Sequence, residues 1–167
     1  MQNQRIEDIK NYLEISPGVS TGGQPTPDQI KHLGEMGFNI LINLATTTSP
    51  DAIPNEQGLS QSAGMAYVHI PVDWQAPTKQ DLVKFFLMFE QHRAFKTFVH
   101  CALNMRVSVF IYLYRVIVER LDGEKCWEDV LKIWTPNEVW KSFIDKMLLE
   151  VPPPENDNDW QFEWRGV

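Results

Sequence analysis

The sequence predicts an α/β domain with a mostly parallel central sheet and helices on both of its faces. Three observations predict it. Short apolar runs alternate with longer amphipathic segments, the order expected when crossover helices join parallel strands. The helix candidate at 107–121 is apolar nearly all round, as a helix buried inside a domain is. Three polar loops, at residues 45–51, 71–77 and 101–106, each follow a strand candidate, and ligands of such sheets sit beyond the carboxyl ends of the strands.

The elements follow in order. Residues 1–11 are charged and weakly amphipathic, and read as an N-terminal arm or a short helix. Residues 12–15 alternate like a strand and end at Ser16-Pro17-Gly18; residues 19–22 form a second strand leading into Gly23-Gln24-Pro25. Thr26-Pro27-Asp28 supplies a capping hydroxyl, a proline in the first turn and an acid near the positive end of the dipole. Ile30, Leu33 and Met36 give that helix its apolar face, and Gly37 ends it. Residues 38–44 read as a buried strand, 55–64 as a short helix and 65–70 as the next strand. Thr78, three residues before Asp81, resembles a capping box opening a helix with Leu82, Phe85, Phe86 and Phe89 on one face. The strand 97–99 and the apolar helix 107–121 follow, with Asp122-Gly123 as the stop. Two more helices, 125–133 and 137–149, are broken at Thr135-Pro136. The expected domain is 12–150. A C-terminal tail, 151–167, opens with three prolines and carries Trp160, Phe162 and Trp164, suited to docking on the body or on a partner.

Composition narrows the function classes. The chain has 167 residues, 43% hydrophobic and 22% charged, which fits one globular domain with a real core. Its net charge of −7 argues against a nucleic-acid binder, which needs a basic footprint. No apolar run is long enough to span a membrane and no export signal opens the sequence, so a cytoplasmic protein is expected. Two cysteines, Cys101 and Cys126, are too few for a disulfide framework. His32, His69, His92 and His100 are dispersed, and no cluster has metal-ligand spacing, so neither metal nor cofactor is expected. The oligomeric state is left open.

The chemistry concentrates in Thr97-Phe98-Val99-His100-Cys101-Ala102-Leu103-Asn104-Met105-Arg106-Val107-Ser108. A strand ends in a thiol, a tight loop follows, and an arginine stands where a buried helix begins. A loop opening a helix presents backbone N–H groups to one point, which suits an anion and favours a thiolate. Cys101 can be a nucleophile, and the amides of Ala102, Leu103, Asn104, Met105, Arg106 and Val107 can cradle phosphoryl oxygens. Arg106 can clamp them with its planar fork. Asn104 tolerates the left-handed backbone such a curve needs. Ser108 can donate to the sulfur, or simply start the helix. His100 orients the loop. Asp73, on a loop after a strand, can protonate the leaving oxygen, or be a turn residue. Thr46, Thr47, Thr48 and Asp51 can form a rim, and Trp74 and Gln75 can line the mouth. Cys126, beside Trp127, reads as packing.

These residues resemble the cysteine-based protein phosphatases, of the small dual-specificity-like bacterial kind. Their signature is His-Cys, five residues, Arg, then Ser or Thr. His100-Cys101, the strand before it and the buried helix after it match. So do Ile15-Ser16-Pro17-Gly18-Val19, the stretch 33–44 and the Asp73 loop, over roughly residues 12–121. The resemblance implies a phosphotyrosine-phosphatase-like fold, hydrolysis of a phosphorylated small molecule or phosphoprotein, and a phospho-cysteine intermediate. Only four residues separate Cys101 from Arg106 here. Either Val107 stands where the signature has its arginine and Ser108 matches the hydroxyl residue, or the loop is one residue shorter and Arg106 is the clamp. A four-residue spacing is also that of rhodanese-like sulfurtransferases, which stand as a second reading. A pseudophosphatase that binds anions without turnover is a third.

Overall fold

The structure is a computed structural model and describes residues 5–151. Five strands, β1 (Leu13–Ser16), β2 (Val19–Gly22), β3 (Ile40–Asn43), β4 (Ala66–His69) and β5 (Thr97–His100), form one sheet in the order β1-β2-β5-β3-β4. β1 and β2 make an antiparallel hairpin, and every other pairing is parallel. The inner strands β3 and β5 are continuous apolar runs because both of their faces are covered. Ile40, Ile42 and Val99 face one core; Leu41 and Phe98 face the other.

Helices lie on both faces, as expected. On one side α1 (Pro27–Glu35) and a 3-10 turn at Ile6–Asp8 cover Leu41 and Phe98, with Phe38 and Met65 filling between. Ile6 and Ile9, within the stretch read as an arm, are buried in this core. Beside α1 packs α2 (Glu56–Ser62), so closely that a Cβ on Gly34 would sit 2.1 Å from the Ala63 carbonyl oxygen. On the other side α3 (Lys79–Gln91), α4 (Met105–Ile117) and α6 (Glu138–Glu150) bury Phe85, Phe86, Phe110, Tyr114, Trp140 and Phe143. α5 (Gly123–Ile133) packs along α4 through Tyr112 against Trp127 and an Arg115–Asp129 ion pair at 2.7 Å. No helix among the described residues is long and apolar enough to cross a membrane.

The caps at Thr26 and Thr78 fall where the sequence places them, and Asn137 adds a third. Thr26 accepts from the Gln29 N–H, with the Gln29 side chain returning the bond, and Thr78 and Asn137 accept from the N–H groups of Asp81 and Trp140. One boundary is corrected. The apolar helix runs Met105–Ile117, not 107–121, and Asp122-Gly123 starts the next helix instead of stopping this one. Arg120, at φ 57, makes the left-handed break, and Asp122 caps α5 by accepting from the Lys125 N–H. The tail beyond residue 151, with its prolines and aromatic residues, lies outside the described residues.

The carboxyl ends of four strands meet at one buried side chain. Gly22, His100, Asn43 and His69 pair in a row across the edge of the sheet. Over that row lies the Glu56 carboxylate, at the start of α2. It accepts from Gln24 Nε2 (2.6 Å), Asn43 Nδ2 (2.8 Å) and the Tyr67 hydroxyl (2.8 Å), and faces His100 Nε2 at 3.1–3.2 Å. Burial pushes this carboxyl up. The hydrogen bond and charge of His100, with the bonds from Gln24 and Tyr67, outweigh it and hold the group down at about 2.

The sign of the pH effect follows. A folded-state value below the ordinary 4.5 contributes stability at neutral pH that fades as pH falls from 4.5 towards about 2. Thermal melts over that window should show the loss, and Glu56→Ala should cost about 3–5 kcal/mol at neutral pH by stranding His100. A variant as stable as the wild type would show that the network holds nothing together.

Candidate active site

His100 ends β5, and the strand alternation sends adjacent side chains to opposite faces. His100 turns towards α2 and Glu56, while Cys101 turns towards α4 and joins the core that α3, α4 and α6 cover. The chain then bends through Ala102 and Leu103 to Asn104, which takes the expected left-handed conformation (φ 64), and α4 begins at Met105. Only four residues therefore lie between strand end and helix start.

Three successive carbonyls of this bend are held by groups on its outer side. Cys101 O lies 3.1 Å from His100 Nδ1, Ala102 O accepts from the Gln24 N–H at 3.0 Å, and Leu103 O accepts from Asn11 Nδ2 at 3.0 Å. Asn104 Nδ2 returns the tie to Asn11 O (2.8 Å) and also donates to Thr21 Oγ1. Gly23 passes close behind: a Cβ there would stand 2.6 Å from Ala102 O, so only glycine fits.

Arg106 and Val107 stand in the first turn of α4, and the turn separates them. Val107 is fully buried in the core. Arg106 lines the same cavity as Cys101, and Val107 does not. The guanidinium is held on both sides: Nη1 donates to Val72 O (2.9 Å), Nη2 to Ser49 Oγ (3.2 Å). It lies 6.0 Å from the centre of the Trp74 ring. Ser49 Oγ in turn lies 3.0 Å from Thr46 Oγ1.

The cavity measures about 340 Å³ and is lined by Thr46, Ser49, Trp74, Cys101, Leu103 and Arg106, among others. Ala102 and Met105 line it too, while Asn104 and Val107 support it from behind. The thiol is 1% exposed at its floor, beneath the N-terminal end of α4, whose dipole favours an anion there. Trp74 is fixed by Trp134 and Trp140, at ring separations of 5.3 and 5.5 Å, and its carbonyl accepts from Trp140 Nε1. Trp140 is fully buried and Trp134 packs partly buried against the same core; Trp74 is both core and wall.

Two expected residues stand elsewhere. Ser108 is not among the residues lining the cavity. Its hydroxyl donates to Met105 O (2.6 Å) and accepts from Trp134 Nε1 (3.0 Å), so it secures the first turn of α4 and does not face the sulfur. Asp73 is exposed and also outside the lining; its Oδ1 accepts from the Gln75 N–H at 2.8 Å, a turn bond. Its neighbour Trp74 is the part of that loop that reaches the cavity. Of the proposed rim, Thr46 and Thr48 line the cavity, whereas Asp51 pairs with Lys10 at 2.7 Å. Cys126 is buried on α5, and burial pushes its thiol up, away from reactivity. No group of three or more His, Cys, Asp or Glu among the described residues is placed to hold a metal.

Sequence reasoning passed over Glu56, Gln24, Asn11 and Ser49. Glu56 stands 44 positions from His100 and looks like an ordinary first-turn acid. Only the strand register brings it above the loop.

The chain can be placed among known proteins. A family model for DSP-PTPase phosphatase fused to NAD+ kinase matches residues 3–131. A crystal structure of a phosphatase candidate (DUF442) from Shewanella putrefaciens CN-32 superposes with a TM-score of 0.78 at 30% identity, covering 88% of this chain and 97% of that one. The core catalytic domain of a PP-IP phosphatase from S. cerevisiae shares the fold, with a TM-score of 0.67 at 13% identity over 95% of this chain and 93% of that one. A beta-lactamase hydrolase-like protein from Xylella fastidiosa (strain 9a5c) is 30% identical over 129 residues, 72% of this chain and 27% of that protein. The matched region thus spans about a quarter of that curated relative. Fold and matched length agree: the chain belongs to the DSP-PTPase family of phosphatase domains, within the cysteine-dependent phosphatase superfamily.

Proposed function

We propose that this domain hydrolyses phosphomonoesters, of a small molecule or a phosphoprotein, through a phospho-cysteine intermediate and without a cofactor. The observation that carries the reading is that Cys101 and Arg106 line one cavity at the N-terminus of α4. The Cys101 thiolate attacks phosphorus; the S–P bond forms as the P–O bond to the leaving group breaks. Water then attacks phosphorus, the S–P bond breaks, and phosphate leaves. Arg106 spends one N–H on Val72 and one on Ser49, which fixes the plane of the guanidinium; the fork has five donors, so three are available to phosphoryl oxygens. The loop amides supply further donors to charge that develops in the transition state.

Asp73 enters as the acid that protonates the leaving oxygen. In that role its carboxyl releases the Gln75 N–H and turns over the cavity, carried by the loop whose Trp74 already lines it. Trp74, Leu103, Met105 and Pro50 give the cavity apolar walls, which suit an aryl or other apolar leaving group.

A second reading, sulfur transfer, is favoured by two features: the four-residue loop, and the position of Asp73 outside the cavity lining. Attack of the thiolate on the sulfane sulfur of thiosulfate leaves a persulfide on Cys101 and releases sulfite, and needs no acid. Cyanide-dependent thiocyanate formation with a persulfide mass on Cys101 would favour it.

Wild-type protein should turn over p-nitrophenyl phosphate and be inhibited by vanadate. Cys101→Ser should abolish turnover, and Arg106→Ala should lower kcat/KM by roughly 10²–10³. Full activity of Cys101→Ser would sink the mechanism. Asp73→Asn should lower turnover of phenyl phosphate by about 10² while sparing p-nitrophenyl phosphate, whose leaving group needs no proton. Equal effects on both esters would remove Asp73 from the acid role.

A further inference from the structure

We propose that Glu56 is a positioning residue for the nucleophile loop: through His100 it holds the Cys101 carbonyl turned out of the cavity. The proposal rests on the phosphatase reading only for its kinetic consequence; its structural part stands on geometry.

His100 is fully buried, and both of its ring nitrogens face acceptors. Nε2 lies 3.1 and 3.2 Å from the two Glu56 oxygens, and Nδ1 lies 3.1 Å from Cys101 O. A carboxylate and a carbonyl only accept, so each nitrogen bonds its partner only when it carries a proton. A neutral imidazole has one N–H and satisfies one of the two. Both bonds made together therefore need a ring with both protons, and a buried imidazolium needs a counter-charge beside it. Glu56 is that counter-charge.

The carboxylate is itself fixed from three other elements: Gln24 after β2, Asn43 at the end of β3 and Tyr67 on β4. Tyr67 and His69 are the other titratable groups here, and both line a second cavity of about 390 Å³ that exposes the edge of the network. Burial and the charge of Glu56 push the Tyr67 hydroxyl up, so it remains a donor to the carboxylate. His69 Nε2 is engaged with Ala45 O at 2.6 Å and leaves Glu56 to His100.

The consequence lies in one peptide plane. In a trans peptide the C=O of Cys101 and the N–H of Ala102 point opposite ways. Holding that oxygen on His100 keeps the Ala102 N–H directed to the other side, towards an anion in the cavity. With the Nδ1 proton lost, a lone pair would face the carbonyl, and only the neighbouring bonds from Gln24 and Asn11 would oppose a flip that turns a partial negative charge into the anion site. Gln24 extends the same device, because its side chain holds Glu56 while its backbone N–H holds Ala102 O.

The ring itself can be observed. In ¹⁵N–¹H imidazole spectra of the wild-type protein at neutral pH, His100 should show both ring nitrogens protonated; a singly protonated ring would overturn the proposal without any variant. Glu56→Gln, first checked by circular dichroism for an intact fold, should lose one ring proton. It should also bind vanadate about tenfold more weakly, with kcat/KM falling in parallel. In a His100→Asn background, whose amide can still donate to the carbonyl, Glu56→Gln should have no further effect on vanadate binding. Wild-type vanadate affinity in Glu56→Gln would overturn the proposal. Absence of aryl phosphate turnover in the wild type would overturn the phosphatase reading alone, because the spectra and the vanadate titration do not depend on turnover.

Discussion

The carboxylate of Glu56 is taken out of water and surrounded by four donors, each from a different part of the chain. Leaving any of them unmet would cost more than making it gains, so they fix one another's positions. Asn43 ends β3, Tyr67 lies within β4 and Gln24 stands two residues past β2, while His100 ends β5 and directly precedes the thiol. The carboxyl ends of the strands and the loop that carries Cys101 are thereby tied to the same group. β5 lies between β2 and β3 in the sheet, so its carboxyl end is where flanking loops converge.

The loop itself is built by turning carbonyls outward. His100, Gln24 and Asn11 each hold one, and they come from β5, from the hairpin's exit and from the N-terminal segment. The shape of this bend is thus a product of long-range packing as much as of the local sequence. In the first turn of α4, Arg106 meets the cavity and Val107 the core. The guanidinium then rests on Val72 and Ser49, residues of the other two strand-following loops. All three loops that the sequence singled out meet at this one side chain.

Much of the fold was legible because its signals are local. The strands read at 38–44 and 97–99, the capping residues Thr26 and Thr78, the break at Thr135-Pro136, and Gly37 and Gly64 at helix ends each carry their meaning within a few residues. Asp122 misled because an aspartate before glycine suits a helix stop as well as a start, and the true break is at Arg120. At the site, His100, Cys101 and Arg106 declared themselves by spacing and by their place between strand and helix. Glu56 and Asn11 did not. An acid in a first helical turn and an asparagine before a strand are common, and their partners stand 44 and 92 positions away. Ser108 was legible as a helix-start hydroxyl, but its direction depends on Trp134, at the end of the next helix.

The account turns on Cys101 forming a bond to phosphorus. Rapid quenching of a reaction with an aryl phosphate, followed by peptide mass mapping and ³¹P spectroscopy, tests that most directly. One phosphoryl group on the sulfur of Cys101, appearing before phosphate is released and absent from Cys101→Ser, is the result the account predicts. Turnover with no phosphoryl group on Cys101, or with the group on another residue, would contradict it.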